Sequence, residues 1–237
     1  MAQPRERTRN PQREEERRIR REEEKAQKLS DWIPKTETGK LVKNKEIETL
    51  NDFFAKGYKV MEPELVDILV PDLKETVIDF KKTTKVTRQG RNFSFRAAVI
   101  VGDGESYIGL GTAKDKEKFP AINKATRNAK LNLKKIIRGS GSWEERSKGT
   151  HSIPFKVTGK SSSVRVHLIP APRGTGLVVG DKIKDVMKFV GIKDIWSKTE
   201  GHTRTTLDFV TAAIDALHNT NNVRVSDDIA QKLGVSK

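Results

Sequence analysis

The chain of 237 residues reads as an α+β protein made of two sheet-and-helix layers. Three observations predict this. Runs rich in β-branched and apolar residues, 76–112 and 153–169, are divided by short turns. After each run, apolar residues recur at three- and four-residue steps. Between the layers stands Gly139-Ser140-Gly141, which reads as a hinge.

Taken in order, residues 1–30 form a charged arm. From Arg5 to Lys28 nearly every residue is Arg, Glu, Lys or Gln, and Ile19 is the one large apolar side chain, so the arm can bury no face. Opposite charges at helical spacing (Glu14 with Arg18, Glu16 with Arg20, Arg18 with Glu22) leave a solvated charged helix and disorder both open. Residues 31–72, with Pro34, Gly39, Gly57 and Pro63, read as an extended connector entering a short helix near 64–69.

The first domain is expected over 73–139. Strands at 76–86, 93–101 and 106–112 make a three-stranded antiparallel meander. A helix is then predicted from Lys116 to about Ile137, its apolar stripe being Phe119, Ile122, Thr126, Ala129, Leu133 and Ile136. On a helical projection Lys116, Lys124, Arg127, Lys134, Lys135 and Arg138 fall in one sector opposite that stripe.

The second domain is expected over 140–220, with a tail over 221–237. Strands at 153–158 and 164–169 lead into Pro170-Ala171-Pro172-Arg173-Gly174-Thr175-Gly176. One helix uses Ile183, Val186, Met187 and Val190 and stops at Gly191; a strand follows at 192–195. The last helix uses Leu207, Val210, Ile214 and Leu217 behind the capping signal Thr205-Thr206-Leu207-Asp208.

Composition points to a polyanionic partner. Only 34% of residues are apolar while 33% are charged, so two modest cores are expected under a surface dense in charge. The formal charge of +15 favours nucleic acid, because each phosphate neutralised by Lys or Arg releases condensed counterions. Cysteine is absent, which excludes disulfides and thiolate metal sites. No apolar run is long enough for a membrane span or signal peptide, so the protein is expected to be intracellular, with no membrane partner.

The strongest local signal is the run from Lys81 to Phe93. Its five cations, Lys81, Lys82, Lys85, Arg88 and Arg91, come with no acid, and Gln89, Gly90 and Asn92 complete a hairpin turn. A cationic ribbon tip suits RNA phosphates. The plainer explanation is an edge strand guarded by lysines, which accounts for Lys81 and Lys82 but less well for the arginines at the tip.

Enzyme signatures fail. Pro154-Phe155-Lys156-Val157-Thr158-Gly159-Lys160-Ser161 ends like a phosphate-binding loop, but Pro154 stands where the first glycine is required. Gly102-Asp103-Gly104-Glu105-Ser106-Tyr107 leads into a strand rather than a helix. His151, His167, His202 and His218 have no paired ligand spacing. No catalytic residue, metal, cofactor or small-molecule substrate is therefore expected.

Gly90-Arg91-Asn92-Phe93-Ser94-Phe95-Arg96-Ala97, Val101-Gly102-Asp103 and Ile108-Gly109-Leu110-Gly111 together resemble the signature of the fifth universal small-subunit ribosomal protein family, called small-subunit protein two in eukaryotes. The block from Val164 to Gly176, with Gly191-Ile192-Lys193-Asp194 and 212–217, is similar to that family's second domain. Trp32-Ile33-Pro34-Lys35-Thr36 and Gly39-Lys40-Leu41-Val42-Lys43 resemble the extension of the archaeal and eukaryotic branch. The arm lacks the Arg-Gly repeats common in eukaryotic members, which points to an archaeal source. Ser106 departs from the glycine common in its turn.

The resemblance implies a double-stranded-RNA-binding-like first domain and a second α+β domain with a left-handed βαβ crossover. It implies a cytoplasmic, ribosome-bound protein that binds small-subunit ribosomal RNA. Its seat would be beside small-subunit proteins three, four and eight, near the channel by which messenger RNA enters, with roles in assembly and translational fidelity. It also implies that Arg173, Gly174, Thr175, Gly176 and Lys184 form a protein-partner interface. A free double-stranded-RNA-binding regulator would share the charge and the first domain but would not need the 170–176 block or the arm. A phosphoryl-transfer enzyme would need the phosphate loop that is missing here.

Overall fold

The computed structural model describes residues 32–145, 149–223 and 229. The arm expected over 1–30 lies outside them, as does most of the tail. Residues up to Leu69 belong to one compact unit and those from Val70 onward to another.

Among the described residues of the first unit, α1 (Glu37–Lys43) and α2 (Leu50–Ala55) take the place of the expected extended connector, and α3 (Pro63–Leu69) coincides with the short helix expected near 64–69. The first two start on threonine caps, the Thr36 hydroxyl accepting from the Gly39 N–H and the Thr49 hydroxyl from the Asp52 N–H. α1 and α2 are too short for apolar periodicity to reveal them. Val42, Leu50, Phe53, Leu65 and Val66 are buried. Glu62 accepts N–H bonds from Lys35 and Thr36. Burial opposes its ionisation, but hydrogen bonds from Thr36, Lys35 and Trp32 outweigh that and hold the carboxyl below the usual glutamate range.

The second unit contains two four-stranded sheets. The first, in the order β1-β2-β3-β4, is antiparallel throughout: β1 (Lys74–Thr87), β2 (Gly90–Gly102), β3 (Tyr107–Asp115) and β4 (Leu133–Lys135). Helix α4 (Lys118–Leu131) lies between β3 and β4 in the chain. The predicted helix therefore ends six residues early, because Leu133–Lys135 pair with Tyr107–Gly109 and satisfy the open edge of β3. The expected three-stranded meander gains its fourth strand in this way.

The buried face of α4 is Ala121, Ala125, Thr126 and Ala129; of the expected stripe it keeps Thr126 and Ala129 but not Phe119 or Ile122, while Leu133 and Ile136 are buried beyond the end of the helix. Gly109 and Gly111 on β3 explain the change. A Cβ at Gly111 would stand 2.1 Å from the Ala125 carbonyl oxygen and 2.2 Å from the Ala129 nitrogen. Helix backbone thus lies directly on strand backbone, and only alanines fit the seam. Phe119, counted in the stripe, is left 79% exposed.

The second sheet runs β5-β6-β8-β7: β5 (Val157–Ser161), β6 (Val164–Pro170), β7 (Leu177–Val178) and β8 (Ile195–Glu200). Helices α5 (Asp181–Val190) and α6 (Thr206–His218) belong to this layer. β7 and β8 are parallel and α5 connects them, a βαβ unit. The predicted positions Ile183, Val186, Met187 and Val190 are buried, and Gly191 ends α5 at φ 76°. The capping signal before α6 does not form, since the Thr205 hydroxyl donates to the His202 carbonyl instead. The strand expected at 192–195 starts only at Ile195, because the Lys193 and Asp194 N–H groups donate to the His151 carbonyl. Likewise β5 begins after Pro154, which cannot donate to a ladder.

Each face of the first sheet has its own core. Ala97, Val99 and Val101 pack with the alanines of α4. Ile100, Ile108 and Ile136 join a larger core with Leu168, Met187, Ile195, Ile214 and Leu217. The two modest cores of the expectation are accordingly unequal, and the larger one is shared between both sheets. Gly139-Ser140-Gly141 is no hinge: Gly139 exchanges backbone hydrogen bonds with Ser152, and a Cβ at Gly141 would meet the Pro154 carbonyl oxygen at 1.8 Å.

Candidate nucleic-acid interface

β1 and β2 outrun the rest of their sheet. The last pair between β2 and β3 is Phe95 with Asp115, whereas β1 and β2 continue through Thr83/Ser94, Thr84/Phe93, Lys85/Asn92 and Val86/Arg91 to Thr87/Gly90. The result is a two-stranded ribbon ending in Arg88 and Gln89, both exposed. Gly90 takes the positive φ of 124° and leaves both tip residues in ordinary conformations.

Side chains alternate across a strand, and directly paired residues share a face. The ribbon therefore has two unlike sides. One carries Lys81, Thr83, Lys85, Asn92, Ser94 and Arg96; the other carries Phe80, Lys82, Thr84, Val86, Arg91, Phe93 and Phe95. A bulge between Val77 and Asp79 sets this phase by inserting Ile78, which turns toward the shared core.

On the polar side, Lys81 pairs with Arg96 and Arg96 with Lys114, so three cations lie abreast across three strands. Like charges directly opposite are destabilising, and among the described residues the relief comes at one end of the row, from Asp79 at 3.0 Å from the Lys81 ammonium. Arg96 and Lys114 escape a reading of local charge runs, because strand register rather than sequence spacing brings them together. On the other side, Phe80 and Phe95 stack with centroids 5.6 Å apart. The Lys82 ammonium lies 3.8 Å from the Phe93 centroid, and that of Lys118, at the start of α4, lies 5.7 Å from Phe95.

The basic sector predicted for one long helix divides. Lys124 and Arg127 are exposed on α4, and Lys116 is exposed just before it. Lys124 also pairs with Asp115 at 3.9 Å. Lys134 and Lys135 sit half-buried on β4, paired with Ile108 and Tyr107 at the opposite end of β3 from the ribbon. Arg138 donates to the Gly191 carbonyl at 3.4 Å and is partly buried. These three cations left the predicted face when the chain turned from helix to strand.

In the second layer Asp194, 4% exposed, accepts N–H bonds from both Gly174 and Gly176 through one carboxylate oxygen, and Glu145 accepts from Arg173. Gly174 and Gly176 have φ of 92° and 74°, and a Cβ on either would meet open space. The Thr175 hydroxyl donates to the Pro172 carbonyl, closing the turn. Lys184 is paired with Asp181 at 2.9 Å; bonding to Lys184 holds the Asp181 carboxyl below its usual range.

The motifs that resembled enzyme loops have structural uses. Gly159 of the near phosphate loop packs on α6, where its Cβ would lie 2.2 Å from the Ala212 carbonyl oxygen and the Ala216 nitrogen. Asp103 accepts N–H bonds from Glu105, Ser106 and Tyr107 and so organises its turn. Ser106 fits there without a positive φ. An open groove between α4, β3 and α6 is lined by Leu110, Thr112, Asn128, Asn132, Leu207 and Thr211 among others, with no titratable side chain. Among the described residues no cluster of His, Asp and Glu is placed to hold a metal, and no helix is long and apolar enough to cross a membrane.

Comparison with known proteins agrees with this architecture. Residues 73–137 match the family model of the ribosomal protein S5 N-terminal domain, and residues 159–233 match that of the ribosomal protein S5 C-terminal domain. The small ribosomal subunit protein uS5 of Methanobrevibacter smithii is 47% identical over 207 residues, spanning 87% of this chain and 97% of the relative. That of Methanothermobacter thermautotrophicus is 44% identical, spanning 87% and 96%. That of Pyrobaculum aerophilum is 48% identical over 192 residues, spanning 81% and 88%. The chain therefore belongs to the ribosomal protein S5 family, whose members are structural rather than catalytic.

Proposed function

We propose that the chain is a structural constituent of the small ribosomal subunit, bound in the cytoplasm to ribosomal RNA and to neighbouring ribosomal proteins. The observation that carries this is the row Lys81, Arg96 and Lys114 at the base of a ribbon that projects past its sheet. Three cations abreast are unfavourable alone and favourable against phosphate. Lys85, Asn92 and the tip residues Arg88, Gln89 and Gly90 extend the same surface; Arg91 and Lys82, on the other side of the ribbon, and Lys116, Lys124 and Arg127 flank it. Contacts fall on phosphates and 2′-hydroxyls, because side chains cannot read the deep, narrow groove of A-form RNA. Lys134, Lys135 and Arg138 form a separate and weaker contribution.

In this reading residues 73–139 and 140–220 are the two working domains, and the turn Arg173-Gly174-Thr175-Gly176 with Lys184 meets a neighbouring ribosomal protein. Family membership supports a seat beside small-subunit proteins three, four and eight, at the channel by which messenger RNA enters, with effects on assembly and fidelity. The test is co-sedimentation with small subunits across a salt series, comparing wild type with Lys81→Gln/Arg96→Gln/Lys114→Gln. The wild type should stay with the subunit at salt concentrations that release the triple variant. Equal retention would remove the ribbon from the interface, and wild type found on free duplex RNA but not on subunits would favour the regulator.

A further inference from the structure

The rings on the aromatic side of the ribbon have no part in phosphate binding, yet they are exposed. Phe93, paired with Thr84, is 47% exposed, Phe80, paired with Ala97, 37%, and Val86, paired with Arg91, 74%. Phe119, 79% exposed on the first turn of α4, belongs to the same helix end as Lys118, which approaches Phe95. A ribbon needing only phosphate contacts would carry polar side chains here. The rings would then be a liability for solubility.

We infer that this side of the ribbon is a stacking platform for unpaired nucleotides of RNA, with Phe93 as the central ring and Phe80 and Phe95 beside it. The inference rests on the RNA-binding reading above and adds the class of RNA. Rings that alternate with cations along a groove are how bases without sequence preference are held. Phe93 and Phe95, two residues apart on β2, are spaced about 7 Å along the strand, and Phe80 stacks on Phe95 from across the ribbon. Lys82 lies over Phe93 at 3.8 Å, so an incoming base takes the place of the ammonium, which is then free to meet that nucleotide's phosphate. Arg91, on the same side two residues before Phe93, offers a planar guanidinium for a second base or phosphate. An apolar protein segment suits the surface less well, since lysines are depleted in protein–protein interface cores and Lys82 and Lys118 crown these rings.

The experiment uses the full chain, a 12-nucleotide single-stranded RNA with 2-aminopurine at its centre, and a fully paired RNA duplex. Wild type should alter the 2-aminopurine fluorescence on binding. Phe93→Leu, which keeps apolar bulk but removes the ring, should weaken single-strand binding by about fivefold or more. It should leave the salt slope and duplex binding nearly unchanged. Phe93→Tyr should restore the single-strand affinity, and a circular dichroism melt of each variant excludes a folding defect. Equal single-strand affinity in wild type and Phe93→Leu would overturn the platform while leaving the phosphate interface standing, and would leave the strip to protein docking. An equal loss on both RNAs would also overturn it, by making Phe93 a packing residue. No binding of either RNA by wild type would overturn the RNA reading itself.

Discussion

Gly111→Ala should be among the most damaging single-methyl changes in the molecule. The added Cβ would lie 2.1 Å from the Ala125 carbonyl oxygen and 2.2 Å from the Ala129 nitrogen, where ordinary contact begins at 3.4 Å. Helix α4 must therefore retreat by roughly 1.3 Å, the difference between 3.4 and 2.1 Å. No rotamer change relieves the overlap, because the obstacle is backbone. Retreat also opens the seam between Ala121, Ala125 and Ala129 and the strand residues Ala97, Val99 and Val101. Overpacking typically costs about 1 to 3 kcal/mol, so a clash with helix backbone places this change at or above about 3 kcal/mol. For a unit of this size that lowers Tm by roughly 6 to 12 °C. Urea unfolding followed by circular dichroism measures it, with Gly174→Ala as the comparison. That site has open space but a φ of 92°, so only the backbone penalty of about 1 to 2 kcal/mol applies. A Gly111→Ala cost below about 1 kcal/mol, or one no larger than that of Gly174→Ala, would show that α4 is not seated backbone to backbone.

Gly159→Ala meets the same obstacle at Ala212 and Ala216 and should unfold at a similarly lowered urea concentration; a neutral result would deny the parallel between the two layers. Neutralising Arg88 and Arg91 together removes two phosphate contacts and should lower the salt slope of RNA binding by about 1.4 to 1.8, and an unchanged slope would place both arginines in solvent. Gly174→Asp and, separately, Lys184→Leu should raise misreading in a reporter assay with assembled subunits near normal levels; unchanged accuracy would make the turn part of the fold alone. His218 is held below its usual range by burial first and then by Lys134, with Asp215 opposing. Since the unfolded chain then binds the proton more readily, stability should be full above the ordinary histidine range and decline as pH falls through and below it. His218→Phe should flatten that decline in urea midpoints measured at pH values on either side of the range, and an equally steep decline would assign it to other groups.

Much of this was legible in the chain itself. β-branched and apolar runs divided by turn residues marked β1, β2 and β3, alternation marked β6, and three- and four-residue steps marked α5, because strand-forming side chains and a one-sided apolar face are local features of the chain. The net charge and the acid-free run from Lys81 to Phe93 pointed to a polyanion, since charge does not depend on fold. Motif resemblance identified the family, which the family models and relatives then established. Other features could not be read in advance. Strand register set Arg96 beside Lys114 and moved the aromatic rings to one side, and the bulge at Ile78 fixed the phase. The close seat of α4 on Gly109 and Gly111 buried alanines and exposed Phe119, against their hydrophobicity. Pairing of Leu133–Lys135 with β3 removed Lys134, Lys135 and Arg138 from the helical face that local spacing implied. Composition and local period thus determined the layers and the kind of partner, whereas the face each side chain occupies was decided by hydrogen bonds between segments distant in sequence, since these alone set register and helix seating.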